Sequence, residues 1–312
     1  MCVRNNDLVV ILGNHENNEF YVSISILLKK IGLKTQMLVL DVNNLFFSKL
    51  LELKPLIVLF TPSDFSKIQN VYNEFGIIQG FLECHNIKYS GSGSIASILG
   101  SSKYLSKVLF RSLGLKTPKC IFVRKNQVPP KYYKVVEELG KNIIIKPNSL
   151  GDSVGVSIIR DEFDYLLCID VLKQKYNGDF LLEELIDNNK IEYTTGIFER
   201  KNEVIQLPIC KTTTFTDFFS YESKKIGLNK KEFISHDDED IHKEMQRIAY
   251  LLHKEFNCKN FSRTDFLVDK ERNIYVLEIN LLPGLQPNSI FPQLCEKEKI
   301  SYDEILFSLV EV

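Results

Sequence analysis

The 312-residue sequence predicts an α/β protein, with a parallel-sheet unit leading into an α+β region. Three observations predict it. Apolar runs alternate with helical stretches through the first 102 residues, the pattern of a parallel sheet with helices on its faces. A strand ending in Lys146-Pro147 runs into a small, polar, glycine-punctuated loop and then a short strand. Between Ser262 and Gly284 two apolar strands flank a polar turn at 269–273, and their charged residues fall on one face.

Residues 8–12 read as a buried strand and 13–18 as a loop. A helix over 20–31, strands at 37–42 and 56–60, and a helix over 77–85 follow, then the turn Ser90-Gly91-Ser92-Gly93. Residues 1–102 therefore form a Rossmann-like unit. No Gly-x-Gly-x-x-Gly follows its first strand, so no dinucleotide is inferred. A helix over 103–113 ends at Gly114; a strand at 119–123, a helix near 132–139 and a strand at 142–145 come next. The loop at 148–156 offers many backbone N–H groups, suited to covering a phosphate, though an ordinary Gly/Ser turn has the same composition. Strands at 157–159 and 180–186 follow, the second carrying Glu183, and Glu192 begins another. Residues 212–235 are polar, aromatic and lysine-rich without period and read as a long active-site loop. An amphipathic helix over 238–256, the hairpin, and a last helix over 301–310 complete the chain. The expected division is 1–102, 103–182 and 183–312.

Composition narrows the classes. A net charge of −1 gives no electrostatic case for nucleic acid or an anionic membrane surface as partner. The apolar runs are far too short to span a bilayer, and the N-terminus lacks a signal-peptide core, so a cytoplasmic location is expected. Seven cysteines at 2, 84, 120, 168, 210, 258 and 295 are widely spaced with no Cys-x-x-Cys, which fits reduced thiols better than disulfides or zinc. The five histidines show no metal-ligand spacing.

The hairpin carries the sharpest chemical signal. Period-two alternation puts Arg263 and Asp265 on one face of its first strand and Glu278 and Asn280 on one face of the second. Antiparallel pairing joins these faces into a patch of one cation, two carboxylates and an amide. Hard oxygen ligands of this kind suit Mg²⁺, which keeps waters and substrate phosphates in its shell. Alone, the patch reads equally well as a solvated hairpin face.

The order of these features resembles the ATP-grasp superfamily, and within it the D-alanine–D-alanine ligase family, over nearly the whole chain. The matching words are Leu12-Gly13 with Val22-Ser23, Gln79-Gly80, Tyr89-Ser90-Gly91-Ser92-Gly93, Ile144-Ile145-Lys146-Pro147, Ser153-Val154-Gly155, Glu183 and Tyr221-Glu222-Ser223-Lys224. The strongest are Arg263-Thr264-Asp265, Glu278-Ile279-Asn280 and Pro283-Gly284, followed by Ser289 and Pro292. Each word is weak alone; the ordered set is specific.

The resemblance implies an ATP-grasp fold behind the Rossmann-like unit, and an enzyme that joins a carboxylate to an amine through an acyl phosphate. It implies ATP and two Mg²⁺ ions, with Mn²⁺ as a substitute, held by Asp265, Glu278 and Asn280. By the same resemblance Lys103, Lys146 and Lys224 hold the ATP phosphates, and Glu183 and Glu192 face adenine and ribose. The 149–155 loop, with Ser153, closes over the phosphates; Arg263 and the Gly284 N–H form an oxyanion site. Ser289 binds the carboxylate of the amine-bearing substrate. The implied partners are a small carboxylate donor and an amino-acid-like acceptor. Homodimers are common in the family, but nothing in this sequence specifies an interface.

Departures cluster where the first substrate belongs. Tyr21 stands at a family acidic position, Asp152 at the first serine of Ser-Ser-Val-Gly, and Lys225 where a tyrosine often follows the lysine. A histidine-containing family segment corresponds here to 60–76, which has none. Tyr21, Asp152 and Lys225 form a complementary set of phenol, carboxylate and ammonium, the expected rebuilt latch around a redrawn donor pocket. The leading reading is thus a D-alanine–D-alanine ligase-like enzyme with altered donor choice. A divergent but genuine D-alanine–D-alanine ligase and a catalytically silent nucleotide-binding protein are the alternatives.

Overall fold

The computed structural model describes residues 7–13, 19–39, 44–60, 74–151, 153–176, 178–187, 191–200, 203–214, 229–234 and 240–310. The first unit alternates β1 (Leu8–Gly13), α1 (Glu19–Lys30), β2 (Lys34–Val39), α2 (Asn44–Leu53), β3 (Ile57–Phe60), α3 (Glu74–Cys84) and α4 (Ser94–Ser101). Its sheet has the order β2-β1-β3, all parallel. Val9, Val10, Ile11 and Leu12 of the central strand are all fully buried, which explains why the run is apolar without alternation.

The middle unit begins with α5 (Lys103–Ser112), β4 (Cys120–Val123) and α6 (Tyr132–Leu139). It continues with β5 (Ile143–Pro147), β6 (Ser157–Ile159), α7 (Glu162–Tyr176) and β7 (Phe180–Glu184). Its antiparallel sheet runs β4-β7-β5-β6. The strand bearing Glu183 pairs on both sides within this sheet, opposite Cys120 and Ile144.

The last unit contains β8 (Ile191–Arg200), β9 (Glu203–Gln206), β10 (Ile209–Thr214), β11 (Asn229–Ile234) and α8 (Asp240–Glu255). After it come β12 (Phe261–Val268), β13 (Ile274–Asn280), α9 (Ile290–Lys297) and α10 (Tyr302–Ser308). The sheet order is β11-β10-β8-β12-β13, with β9 on β8. One face packs on α8 through Met245, Ile248, Ala249 and Leu252. On the other, Phe198 and Phe261 share a core cluster with Phe291 and Leu294 of α9. Gly196 permits that approach: a Cβ there would lie 2.9 Å from the Phe291 ring.

The expected loop at 212–235 is corrected at both ends. β10 and β11 pair antiparallel from Ile209↔Ile234 to Thr214↔Asn229. The sequence hid this because β11 is an edge strand whose Lys230, Lys231 and Glu232 are exposed, the polar dress of a protected edge. Helices α2, α4, α7 and α9 and strand β9 lie in stretches whose sequence pattern predicts no element. In α7 Phe163, Leu166 and Leu167 are exposed while Tyr165 and Ile169 are buried, so apolar residues ring the helix and blur its period. No described helix is long and apolar enough to cross a membrane.

Candidate active site

Pairing of β12 with β13 sets Arg263 opposite Asn280 and Asp265 opposite Glu278. The register slips between Asp265 and Phe266, so Leu277 is an extra residue on β13. The bulge lets Val276 and Ile279 both enter the core against α8 while Glu278 and Asn280 remain on the polar face. On its other side β12 pairs with β8, bringing Thr194 opposite Asp265.

Asp265 is the hub, and only 7% of it is exposed. The Arg263 guanidinium grips it twice, Nη2 donating to Oδ2 at 2.8 Å and Nε to Oδ1 at 3.2 Å. Thr194 Oγ1 donates to Oδ1 at 2.8 Å. Asn280 Nδ2 reaches Asp265 Oδ2 and Glu278 Oε1, each at 3.3 Å, and Arg263 Nη2 stands 4.0 Å from Glu278 Oε1. The forked guanidinium matches the planar carboxylate, so the arginine is held in one orientation.

The chain leaving β13 turns through Gly284, Gln286 and Ser289 into α9. Ser289 is the N-cap of α9, but its hydroxyl makes no cap bond; it donates instead to Gln286 Oε1 at 3.0 Å. A Cβ on Gly284 would fall 2.8 Å from Ser289 Oγ, so only glycine allows the backbone and the hydroxyl to approach this closely. This leaves the Ser289 hydroxyl beside the first turn of a helix whose N–H groups favour an anion.

A second polar cluster lies in the middle unit. Lys146, the penultimate residue of strand β5, donates to Glu183 Oε1 at 2.7 Å, and both are buried. Lys107 of α5 lies 2.8 Å from Glu183 Oε2. It also donates to Thr117 Oγ1 at 2.8 Å and the Pro118 carbonyl at 3.4 Å, and is 0% exposed. Burial acts to raise the Glu183 carboxyl, but the two lysine charges outweigh it and hold it below the usual range. Burial likewise pushes the Lys107 ammonium down to about 8, with Glu183 opposing and Lys146 assisting. Nothing in the sequence pattern singles out Lys107. Its spacing of four from Lys103 on one helix was the available signal, and such pairs usually mark a solvated face.

Lys103 opens α5, its backbone N–H donating to the Asn148 carbonyl at 3.0 Å and its ammonium to the Leu150 carbonyl. Asn148 Oδ1 in turn accepts from Tyr104 N at 3.0 Å, so helix and loop are pinned together. Within the loop Ser153 has φ +61° and Gly155 φ +73°. A Cβ on Gly155 would meet Pro147 Cγ at 2.7 Å, so that position requires glycine twice over. The left-handed serine is an outlier of the kind that concentrates at ligand clamps.

The structure therefore gathers Arg263, Asp265, Glu278 and Asn280 in one patch and Lys146 with Glu183 in another. Lys103 and Ser153 flank the loop. Glu192 pairs with Thr212 and Leu267 on β8. Tyr21 on α1 is half-buried against the cluster that includes Leu285 and Phe291, and among the described residues its hydroxyl has no hydrogen-bond partner. Asp152, Lys224, Lys225 and the Tyr221 word lie outside the described residues.

The D-ala D-ala ligase C-terminus family model matches residues 109–311. A D-alanine–D-alanine ligase of Buchnera aphidicola is 30% identical over 245 residues, 77% of this chain and 78% of that protein. One of Clostridium botulinum (strain Alaska E43 / Type E3) is 28% identical over 240 residues, 77% of each. Among solved structures, a D-alanine–D-alanine ligase from Bacillus anthracis superposes with a TM-score of 0.76 at 25% identity, over 98% of this chain and 96% of that one. The VanG D-Ala:D-Ser ligase from Enterococcus faecalis shares the fold, with a TM-score of 0.72 at 19% identity over 98% of both chains.

Proposed function

This chain belongs to the D-alanine–D-alanine ligase family, and from that premise we propose that it uses ATP to join a small carboxylate donor to an amino-acid-like amine. The observation that supports this most is the hairpin register, which sets a fixed arginine, two carboxylates and an amide beside the Gly284–Ser289 turn.

A carboxylate is a poor electrophile. The donor oxygen attacks the γ-phosphorus of ATP, ADP leaves, and an acyl phosphate results. Two anions must meet in that step, so cations are needed around them. Lys103, Lys146 and Lys224 are the proposed phosphate ligands, with Glu183 and Glu192 on the adenosine and the Ser153–Gly155 turn over the phosphates. The amine then attacks the acyl carbon; Arg263 and the Gly284 N–H hold the developing oxyanion, and phosphate departs with an oxygen of the donor. Ser289, at the start of α9, would receive the acceptor's carboxylate.

The donor set fits a divalent ion. Asp265, Glu278 and Asn280 converge as hard ligands, while among the described residues no group of three or more His, Cys, Asp or Glu could hold an ion by itself. Such a site suits Mg²⁺ or Mn²⁺ completed by waters and phosphate oxygens. Ligation needs Asn280 Oδ1, a half-turn of the amide from the arrangement that donates to Glu278. When bound, two such ions would neutralise phosphate charge.

Donor choice follows from Tyr21. A buried substrate ammonium needs an opposing carboxylate, and an aromatic residue at this position supplies none. D-alanine is therefore a poor donor, and Tyr21, Asp152 and Lys225 are the proposed determinants of first-substrate choice. The test is ATP-dependent phosphate release across D- and L-amino acids, singly and in pairs, with mass spectrometry of products. Silence with D-alanine and turnover with another pair supports the altered donor. Robust D-Ala-D-Ala would overturn it in favour of a divergent cell-wall ligase, and no turnover with any pair would favour a silent nucleotide binder.

A further inference from the structure

The Lys107–Glu183–Lys146 cluster is out of charge balance. It holds two ammoniums and one carboxylate, all within 2.8 Å of one another's partner atoms and all buried. The other ionisable neighbours do not correct this. Arg111 of α5, whose guanidinium donates to Cys120 Sγ on β4 at 3.3 Å, adds further positive charge. A buried net charge is costly unless an opposite charge completes it. Lys107 cannot meet that ligand itself, since its ammonium is spent on Glu183, Thr117 and Pro118 inside the protein. Lys146, at the strand end beside the glycine loop, is the member placed nearer the outside.

We propose that Lys107 is a positioning residue for the nucleotide: it fixes Glu183 against Lys146 and supplies the surplus positive charge that the polyphosphate of ATP completes. Without Lys107, Glu183 and Lys146 form a neutral pair, and Lys146 is drawn to the carboxylate rather than the phosphate. The inference deepens the ATP reading above and rests on it. One consequence separates it from a structural role. An anion arriving beside the cluster raises the proton affinity of Lys107, which burial has lowered to about 8. Binding at alkaline pH must then take up a proton, because the partly deprotonated lysine recharges.

The experiment is calorimetric titration of the full chain with Mg·ATP at about pH 8.5, in two buffers of different ionisation enthalpy, alongside K107M. At that pH the nucleotide is fully ionised, so any proton goes to the protein. The parent is expected to take up a substantial fraction of a proton. K107M should take up none and bind ATP roughly ten- to a hundredfold more weakly, the effect of losing one charge about 6–12 Å from an anion at an effective dielectric constant near 20. Adenosine, which lacks phosphates, should bind the parent without proton uptake. Proton-neutral binding of ATP to the parent, or K107M within about threefold of it, overturns the inference. Should K107M fail to fold, the parent's proton uptake decides, and T117V, which removes only a Lys107 acceptor, should diminish it. Failure of the parent to bind ATP at all would instead refute the ATP reading, and the inference with it.

Discussion

Replacing Arg263 with Gln isolates the proposed oxyanion contribution. The substitution removes the two guanidinium bonds to Asp265 but leaves that carboxylate its bonds from Thr194 and Asn280, so no buried acceptor is orphaned. Arg263 is partly exposed, and the fold should survive with little change in Tm. Catalysis should not. Loss of one preorganised oxyanion donor costs about 10²–10³-fold in kcat, or roughly 3–4 kcal/mol. The loss should appear in kcat with the acceptor's KM nearly unchanged, since the interaction is made in the transition state. Coupled phosphate release with a turned-over donor–acceptor pair reads both parameters, and thermal denaturation checks the fold. A variant within about threefold of the parent kcat, folded and saturable, would refute the assignment of Arg263.

Further outcomes follow from the same geometry. Gly155→Ala must hold a left-handed residue with its Cβ on Pro147, so the loop should be displaced and the KM for ATP raised about tenfold or more, while global Tm falls little. Gly196→Ala forces a methyl against the Phe291 ring and should cost about 1–3 kcal/mol in denaturant unfolding. Asp265→Asn should raise the Mg²⁺ concentration needed for half-maximal turnover, and chelation should abolish turnover reversibly in the parent. His253 is buried, and burial depresses it to about 4 against the usual 6.5, with Glu199 3.8 Å away opposing and Lys254 assisting. The unfolded chain then binds the proton first, so stability is full above pH 6.5 and falls as pH drops toward 4, by about 3 kcal/mol from this group. His253→Gln should flatten that slope in urea melts taken across the window.

The sequence made the hairpin legible because two simple rules act there without interference. Alternation fixed the faces of Arg263, Asp265, Glu278 and Asn280, and the polar turn at 269–273 fixed the partner. It did not disclose the Leu277 bulge, which changes which residues reach the core without moving the acidic ones. Lys107 was illegible for a different reason. Its helix presents cations at positions 103 and 107, and only the tertiary fold makes one of them a buried partner of Glu183 on β7. Strand β11 was lost because an edge is selected to look unlike a strand. The Tyr21 departure was legible as chemistry, and the structure adds that its hydroxyl has no hydrogen bond among the described residues. Asp152 and Lys225, the other members of the expected latch, lie outside those residues.

The most direct test of the central claim uses a donor whose carboxylate carries ¹⁸O, once a turned-over pair is in hand. Attack of that carboxylate on ATP, followed by displacement of phosphate by the amine, moves one donor oxygen into the released phosphate. One ¹⁸O per inorganic phosphate is expected, and one fewer in the amide product. Unlabelled phosphate, or label in AMP, would contradict the acyl-phosphate chemistry assigned to this site.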